Sequence, residues 1–149
     1  MTARTERDVL NMLIETCRDS ARGFRLAADH VGTPELKALF LDTAKQRELF
    51  ATELVPIAQR LGGANDAPGT ARGTLHRGWM MVKDALTNYD EDAVLQEAVR
   101  GEAAAADAYA DAVMSFLPPN ARPIIEKQYE QVRNIQRDLD QLRITRVAS

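Results

Sequence analysis

The sequence predicts an all-α four-helix bundle, two long αα-hairpins joined by a crossover that carries a short fifth helix. Three observations lead there. Apolar residues recur at three- and four-residue steps over four long segments, the period of a core-facing helix. The chain is rich in Ala, Leu, Glu, Arg, Gln and Asp with only 5% aromatics, whereas strands favour β-branched and aromatic side chains. Turn signals fall into two tight clusters separated by one long interval, which marks off the hairpins. With 149 residues, the chain is expected to form one domain, 1–149, with room for a real core.

The first helix is expected over residues 5–31. Leu10, Leu13, Cys17, Ser20, Phe24, Ala28 and Val31 share one face, and Gly32 offers a stop. Thr33-Pro34-Glu35 then supplies a cap, a proline at the first helical position and an acid near the positive dipole end. So short a connection turns the second helix, 34–61, back antiparallel. Its stripe is Leu36, Phe40, Thr43, Arg47, Phe50, Leu54, Ile57 and Leu61, ending at Gly62-Gly63. Pro56 lacks a backbone donor and is expected to kink or weaken the last turns.

Residues 62–90 break the pattern with Gly62-Gly63, Asn65-Asp66 and Pro68-Gly69. A shorter helix is expected over 71–86, with Leu75, Trp79, Val82 and Leu86 on one side. The next long helix, 91–116, carries Leu95, Val99, Glu102, Ala106, Tyr109, Val113 and Phe116. Leu117-Pro118-Pro119 ends it, and Asn120 is the expected cap of the last helix, 121–143. That helix aligns Ile125, Gln128, Val132, Ile135, Leu139 and Leu142, and residues 144–149 are expected to fray. A bundle helix of about 26 residues spans roughly 39 Å, a distance the middle segment can cover.

Composition excludes several functions. The formal charge of −3 is well mixed, so no nucleic-acid partner is expected; Arg133, Arg137, Arg143 and Arg146 alternate with Glu130, Asp138 and Asp140 as a solvated face. The single Cys17 cannot form an internal disulfide, which fits a reducing compartment. No run resembles a signal peptide or a membrane span, so a cytoplasmic protein without a membrane partner is expected. His30 and His76 are the whole histidine complement, too few for a site needing several imidazoles. There is no Gly-rich phosphate loop, no Ser/His/Asp constellation and no CxxC.

The residues of chemical interest are charges on apolar stripes. Arg47 and Glu102 each lie about four turns from a sharp bend, as do Cys17 and Asn134. Positions equally far from their bends meet in one layer if the hairpins are related by a two-fold. The expected polar layer is Cys17, Ser20, Thr43, Arg47, Glu102 and Gln128. An isolated charge in an apolar interior costs several kcal/mol, so Arg47 and Glu102 are expected to pair. Two alternatives stay open. Glu102 could serve a metal or small ligand with Asp19, Glu48 or Glu130, or a rotated helix could carry either charge to solvent. On the crossover, Trp79 reads as a packing anchor and His76 as a lone surface imidazole.

In layout, a long crossover between two hairpins resembles the ferritin-like superfamily. More narrowly, the chain is similar to a bacterial branch of uncharacterised four-helix-bundle domains, over about residues 5–143. The matching segments are Pro34-Glu35-Leu36-Lys37-Ala38-Leu39-Phe40, Leu75-His76-Arg77-Gly78-Trp79-Met80, and Arg100-Gly101-Glu102 leading to Tyr109. The resemblance implies a ferritin-like fold and brings no established activity. The superfamily's ligand set is a carboxylate on each of the first and third bundle helices and Glu-x-x-His on the other two. Carried over, only Glu102 occupies a ligand position; Cys17, Arg47 and Phe50 stand at others, and Glu130 and Arg133 fall off the stripe. The expectation is therefore a degenerate metal site in a non-enzymatic protein that binds a partner or itself, a homodimer included. The alternative is a divergent binder of iron, manganese or zinc through Glu102.

Overall fold

The computed structural model describes residues 5–62 and 90–148, all in helices and their turns. The helices are α1 (Glu6–Ala28), α2 (Pro34–Arg60), α3 (Glu91–Val113) and α4 (Arg122–Ala148). None of them is long and apolar enough to cross a membrane. The expected crossover helix, with His76 and Trp79, lies outside the described residues.

Contacts run α1 to α2, α1 to α3, α3 to α4 and, most sparingly, α2 to α4, which closes a ring of four. Leu61 shares a surface depression with Thr5, Glu6 and Arg7, so α2 ends where α1 begins. Glu91 instead binds Gly32 and Thr33, so α3 starts at the α1–α2 turn. Each helix is therefore antiparallel to both its neighbours in the ring. Gly62 and Asp90 therefore lie at opposite ends of the bundle.

The helix termini follow local chemistry. Thr5 caps α1 by accepting from the Asp8 amide at 3.1 Å. Asp90 caps α3 by accepting from the Asp92 and Ala93 amides. Thr33 stands at the N-cap of α2 but makes no side-chain cap bond to it. Its hydroxyl and amide donate instead to Glu91, which also accepts from the Gly32 amide at 2.6 Å. The positive end of α2 is thus closed by a carboxylate on α3, which no local sequence pattern could announce.

These donors, the Thr33 hydroxyl first, hold the Glu91 carboxyl below its ordinary value of 4.5. A depressed acid stabilises the fold fully above the unfolded pKa, and the gain disappears as pH falls through the folded one. Glu91→Ala is expected to cost about 1 kcal/mol at pH 7, as for loss of a helix cap. In urea unfolding, that deficit should shrink on acidification, as the native carboxyl itself takes up a proton.

Several boundaries depart from the expectations. Helix α1 stops at Ala28, since the Asp29 and His30 amides fold back on Arg25 and Ala27 carbonyls and tighten the last turn. Val31 remains buried beyond it. Helix α2 runs unbroken through Pro56, which lies on its exposed face, and Gly62 follows at φ +82°. Helix α3 stops at Val113, so Phe116, expected on the core stripe, is 82% exposed while Leu117 turns inward. The Pro118 carbonyl accepts from the Ala121 and Arg122 amides to start α4, and Asn120 is exposed in that turn.

Helix α4 continues past the expected end at residue 143 to Ala148. Arg146 fixes that end, its Nε donating to Asp92 at 2.7 Å with Glu91 nearby.

The core is divided. One apolar cluster, around Phe24, Leu36, Phe40, Leu95 and Leu139, fills the end holding the α1–α2 turn. A larger one, around Leu10, Leu13, Phe50, Leu54 and Ile125, fills the end holding the α3–α4 turn. The polar residues lie between them.

Candidate functional site

On α2, the buried stripe runs from Ala44 to Phe50 with Arg47 between; on α3, it runs from Ala98 to Ala105 with Glu102 between. Both charges therefore project into the same gap in the core. The Arg47 guanidinium grips Glu102 with both terminal nitrogens, Nη1 donating to Oε1 at 2.5 Å and Nη2 to Oε2. Arg47 is 1% exposed and Glu102 0%. The pair spans the diagonal of the ring, from α2 to α3.

The guanidinium is also packed by aromatic faces. Its central carbon lies 5.9 Å from the ring centroids of both Phe24 and Phe50. Its Nε donates to Gln46 at 3.2 Å. Burial works against the Arg47 charge, but the Glu102 carboxylate more than offsets it, and the net effect raises its pKa. The planar fork suits this position, because it satisfies a buried carboxylate on both oxygens at once.

A second polar group sits beside the pair. The Cys17 sulfur lies 3.1 Å from the Tyr109 hydroxyl, which donates to Gln128 Oε1 at 2.6 Å. Gln128 Nε2 donates in turn to the Phe50 carbonyl at 3.3 Å and to Glu53 at 3.1 Å. The chain touches α1, α3, α4 and α2 in ring order, so one set of hydrogen bonds ties all four helices. Tyr109 also stacks on Tyr129, with centroids 6.4 Å apart.

Burial pushes the Cys17 thiol up to about 11, with the Tyr109 bond and the Arg47 charge pulling only partly against it. Burial likewise raises the Tyr109 hydroxyl well above its ordinary range. Burial thus favours the neutral form of both groups, and the Cys17 thiol is buried away from solvent.

The other residues of interest separate. Ser20 and Thr43 are buried, and the Thr43 hydroxyl donates to its own helix at Leu39 rather than into the layer. Asn134, expected at mid-bundle, is exposed and bound by Arg137. Glu48 is exposed and paired with Arg25, and Glu130 is exposed. Asp19, on α1, is buried with one oxygen on Arg22 and Oδ2 unpartnered. Glu97 on α3 repeats that arrangement with Arg100, an acid that its place off the stripe did not single out.

This donor set does not fit a hard divalent cation. Both Glu102 oxygens already hold a guanidinium, Arg47 adds positive charge where a metal would sit, and burial favours the neutral forms of the adjoining thiol and phenol. Among the described residues, no three His, Cys, Asp or Glu side chains converge to hold a metal.

Comparison with known proteins gives a family and no activity. No curated protein matches the chain. A family match takes in α1, α2 and α3 with the Arg47–Glu102 pair: over residues 5–115, the chain belongs to the family described as Domain of unknown function (DUF2383).

Proposed function

We propose that this protein is a non-enzymatic helical bundle that works through its surface, binding a protein partner or a second copy of itself. The observation that carries the reading is the Arg47–Glu102 pair. It closes the one mid-bundle carboxylate that matches a ligand position of the ferritin-like superfamily. On this reading, the chain is a bacterial, cytoplasmic relative of that superfamily with a degenerate metal site and no resident cofactor. The mixed formal charge of −3 supports a partner other than nucleic acid.

Large apolar side chains that the fold leaves outside support a protein partner, Met114 at 87%, Val147 at 83% and Phe116 at 82% exposure among them.

Equilibrium dialysis against iron, manganese and zinc tests the reading. The expected result is no stoichiometric retention of any of the three and an unchanged melting temperature. Retention of one metal equivalent that Glu102→Gln abolishes would overturn it in favour of a Glu102-centred metal binder.

A further inference from the structure

The core-facing stripe of α4 steps through Ile125, Gln128, Val132, Ile135, Leu139 and Leu142, and its next place falls on Arg146. As far as Leu139 the stripe is anchored. Ile125, Gln128, Val132 and Leu139 are buried, and Gln128 is bonded to both α2 and α3. Beyond Leu139 no residue from 140 to 147 is buried. Leu142, partly buried against the cluster of Phe24, Leu36, Phe40 and Leu95, is the last apolar contact. The sense of the helix then reverses. The Arg146 guanidinium turns toward α3, while Ile144 at 56% and Val147 at 83% exposure face water.

Among the described residues, the polar contacts tying residues 140–148 to another helix are those of Arg146. Its Nε donates to Asp92 at 2.7 Å, and its Nη2 lies 3.6 Å from Glu91 Oε1. Asp90, the third acid at the start of α3, adds its charge. The Arg143–Asp140 pair and the Thr145 bond to the Gln141 carbonyl stay within α4. The Arg146 and Asp92 side chains are 32% and 68% exposed, so water and salt reach the contact. An exposed ion pair of this kind shifts an equilibrium by about fivefold at most, and salt screens it. Glu91 is placed differently, because Gly32 and Thr33 hold it whether or not Arg146 does. The fastening of α4 therefore parts without undoing the α1–α2 turn.

We infer that residues 140–148 form a strap, latched to α3 by Arg146, which opens as a unit in rising salt and bares the seat of Leu142 on the smaller apolar cluster. Its inner limit is Leu139, the last buried side chain of α4. The strap is about two and a half turns long. A helix so short is unstable by itself in water, so a strap that lifts also melts, and its amides report the opening directly. The device is independent of the surface-binding reading above.

Hydrogen–deuterium exchange of the full chain at one pH, in about 20 and 500 mM sodium chloride, tests it. Rates are read against an unstructured peptide of the same sequence in the same buffers. The expected result is that amides of residues 140–148 exchange about fivefold faster in high salt, while those of 125–139 do not change. Arg146→Gln should produce the faster exchange already in low salt and remove the response to salt. Asp92→Asn should do the same, and the double variant should add little to either. Arg146→Lys keeps the charge and should keep part of the response. Arg146 and Asp92 both reach solvent, so the variants should fold, and circular dichroism checks that they do.

Exchange of residues 140–148 in step with 125–139 overturns the inference, because α4 then opens in one piece. So does a strap indifferent to both salt and Arg146→Gln, which would leave the packing of Leu142 as the fastening. Exchange at the peptide rate in low salt overturns it too, since the latch would then hold nothing.

Discussion

Arg47→Leu and Glu102→Leu are each expected to destabilise the protein by about 3–5 kcal/mol, while the double substitution returns close to the parent stability. The reason is asymmetric. Removing Glu102 leaves a guanidinium that cannot be neutralised among Phe24, Phe50 and apolar residues. Removing Arg47 leaves a fully buried carboxylate with both oxygens stripped of their donors. Removing both joins the two apolar clusters through a continuous leucine layer, and the desolvation penalty disappears with the charges. Urea unfolding of the four proteins at pH 7 closes the cycle. Additive losses in the double variant would show that the two residues act separately and that the pair is not the unit it looks like.

Tyr109→Ala is the second large effect, expected at about 3–5 kcal/mol for loss of a buried aromatic and the cavity it leaves. Tyr109→Phe divides that figure. It keeps the ring stacked on Tyr129 but removes the hydroxyl that links Cys17 to Gln128. That change is expected to cost about 1–3 kcal/mol, because the Gln128 oxygen is left buried without its donor. If the phenylalanine variant unfolds at the parent urea midpoint, the chain of hydrogen bonds around the ring contributes nothing and Tyr109 is a packing residue alone.

Much of this architecture was legible because helical periodicity is a strong signal over 23 or more residues. The four long helices lie where the stripes put them, within a few residues at most ends. Of the expected polar residues, Arg47 and Glu102 meet where their stripes put them, whereas Thr43 on the same stripe bonds its own helix, a choice that periodicity does not encode. Errors concentrate where periodicity says nothing.

Phe116 keeps the α3 spacing, yet the chain has already left the helix at Met114, and departure from helical geometry reverses which side chain turns inward. Asn134 was placed by counting from Asn120, but α4 begins at Arg122, and at that register Val132 is the buried residue and Asn134 faces out. The C-terminal turns looked dispensable because their partners, Asp92 and Glu91, are more than fifty residues away. Long-range pairs of that kind leave no mark in a single sequence. Neither does the role of Glu91 at the start of α2.

The division of the core has a consequence for motion. Two apolar clusters separated by a layer of fixed charges need not open together, because each can lose its packing while the layer holds the other closed. The cluster beside the α1–α2 turn is the smaller, and α4 supplies only Leu139 to its fully buried set. Amides around Leu36 and Phe40 should therefore exchange with solvent through excursions that leave Leu13, Leu54 and Ile125 packed. A helical bundle is usually pictured as a rod that melts at once. This one is built as two chambers with a charged floor between them, and its breathing should be felt at one end first.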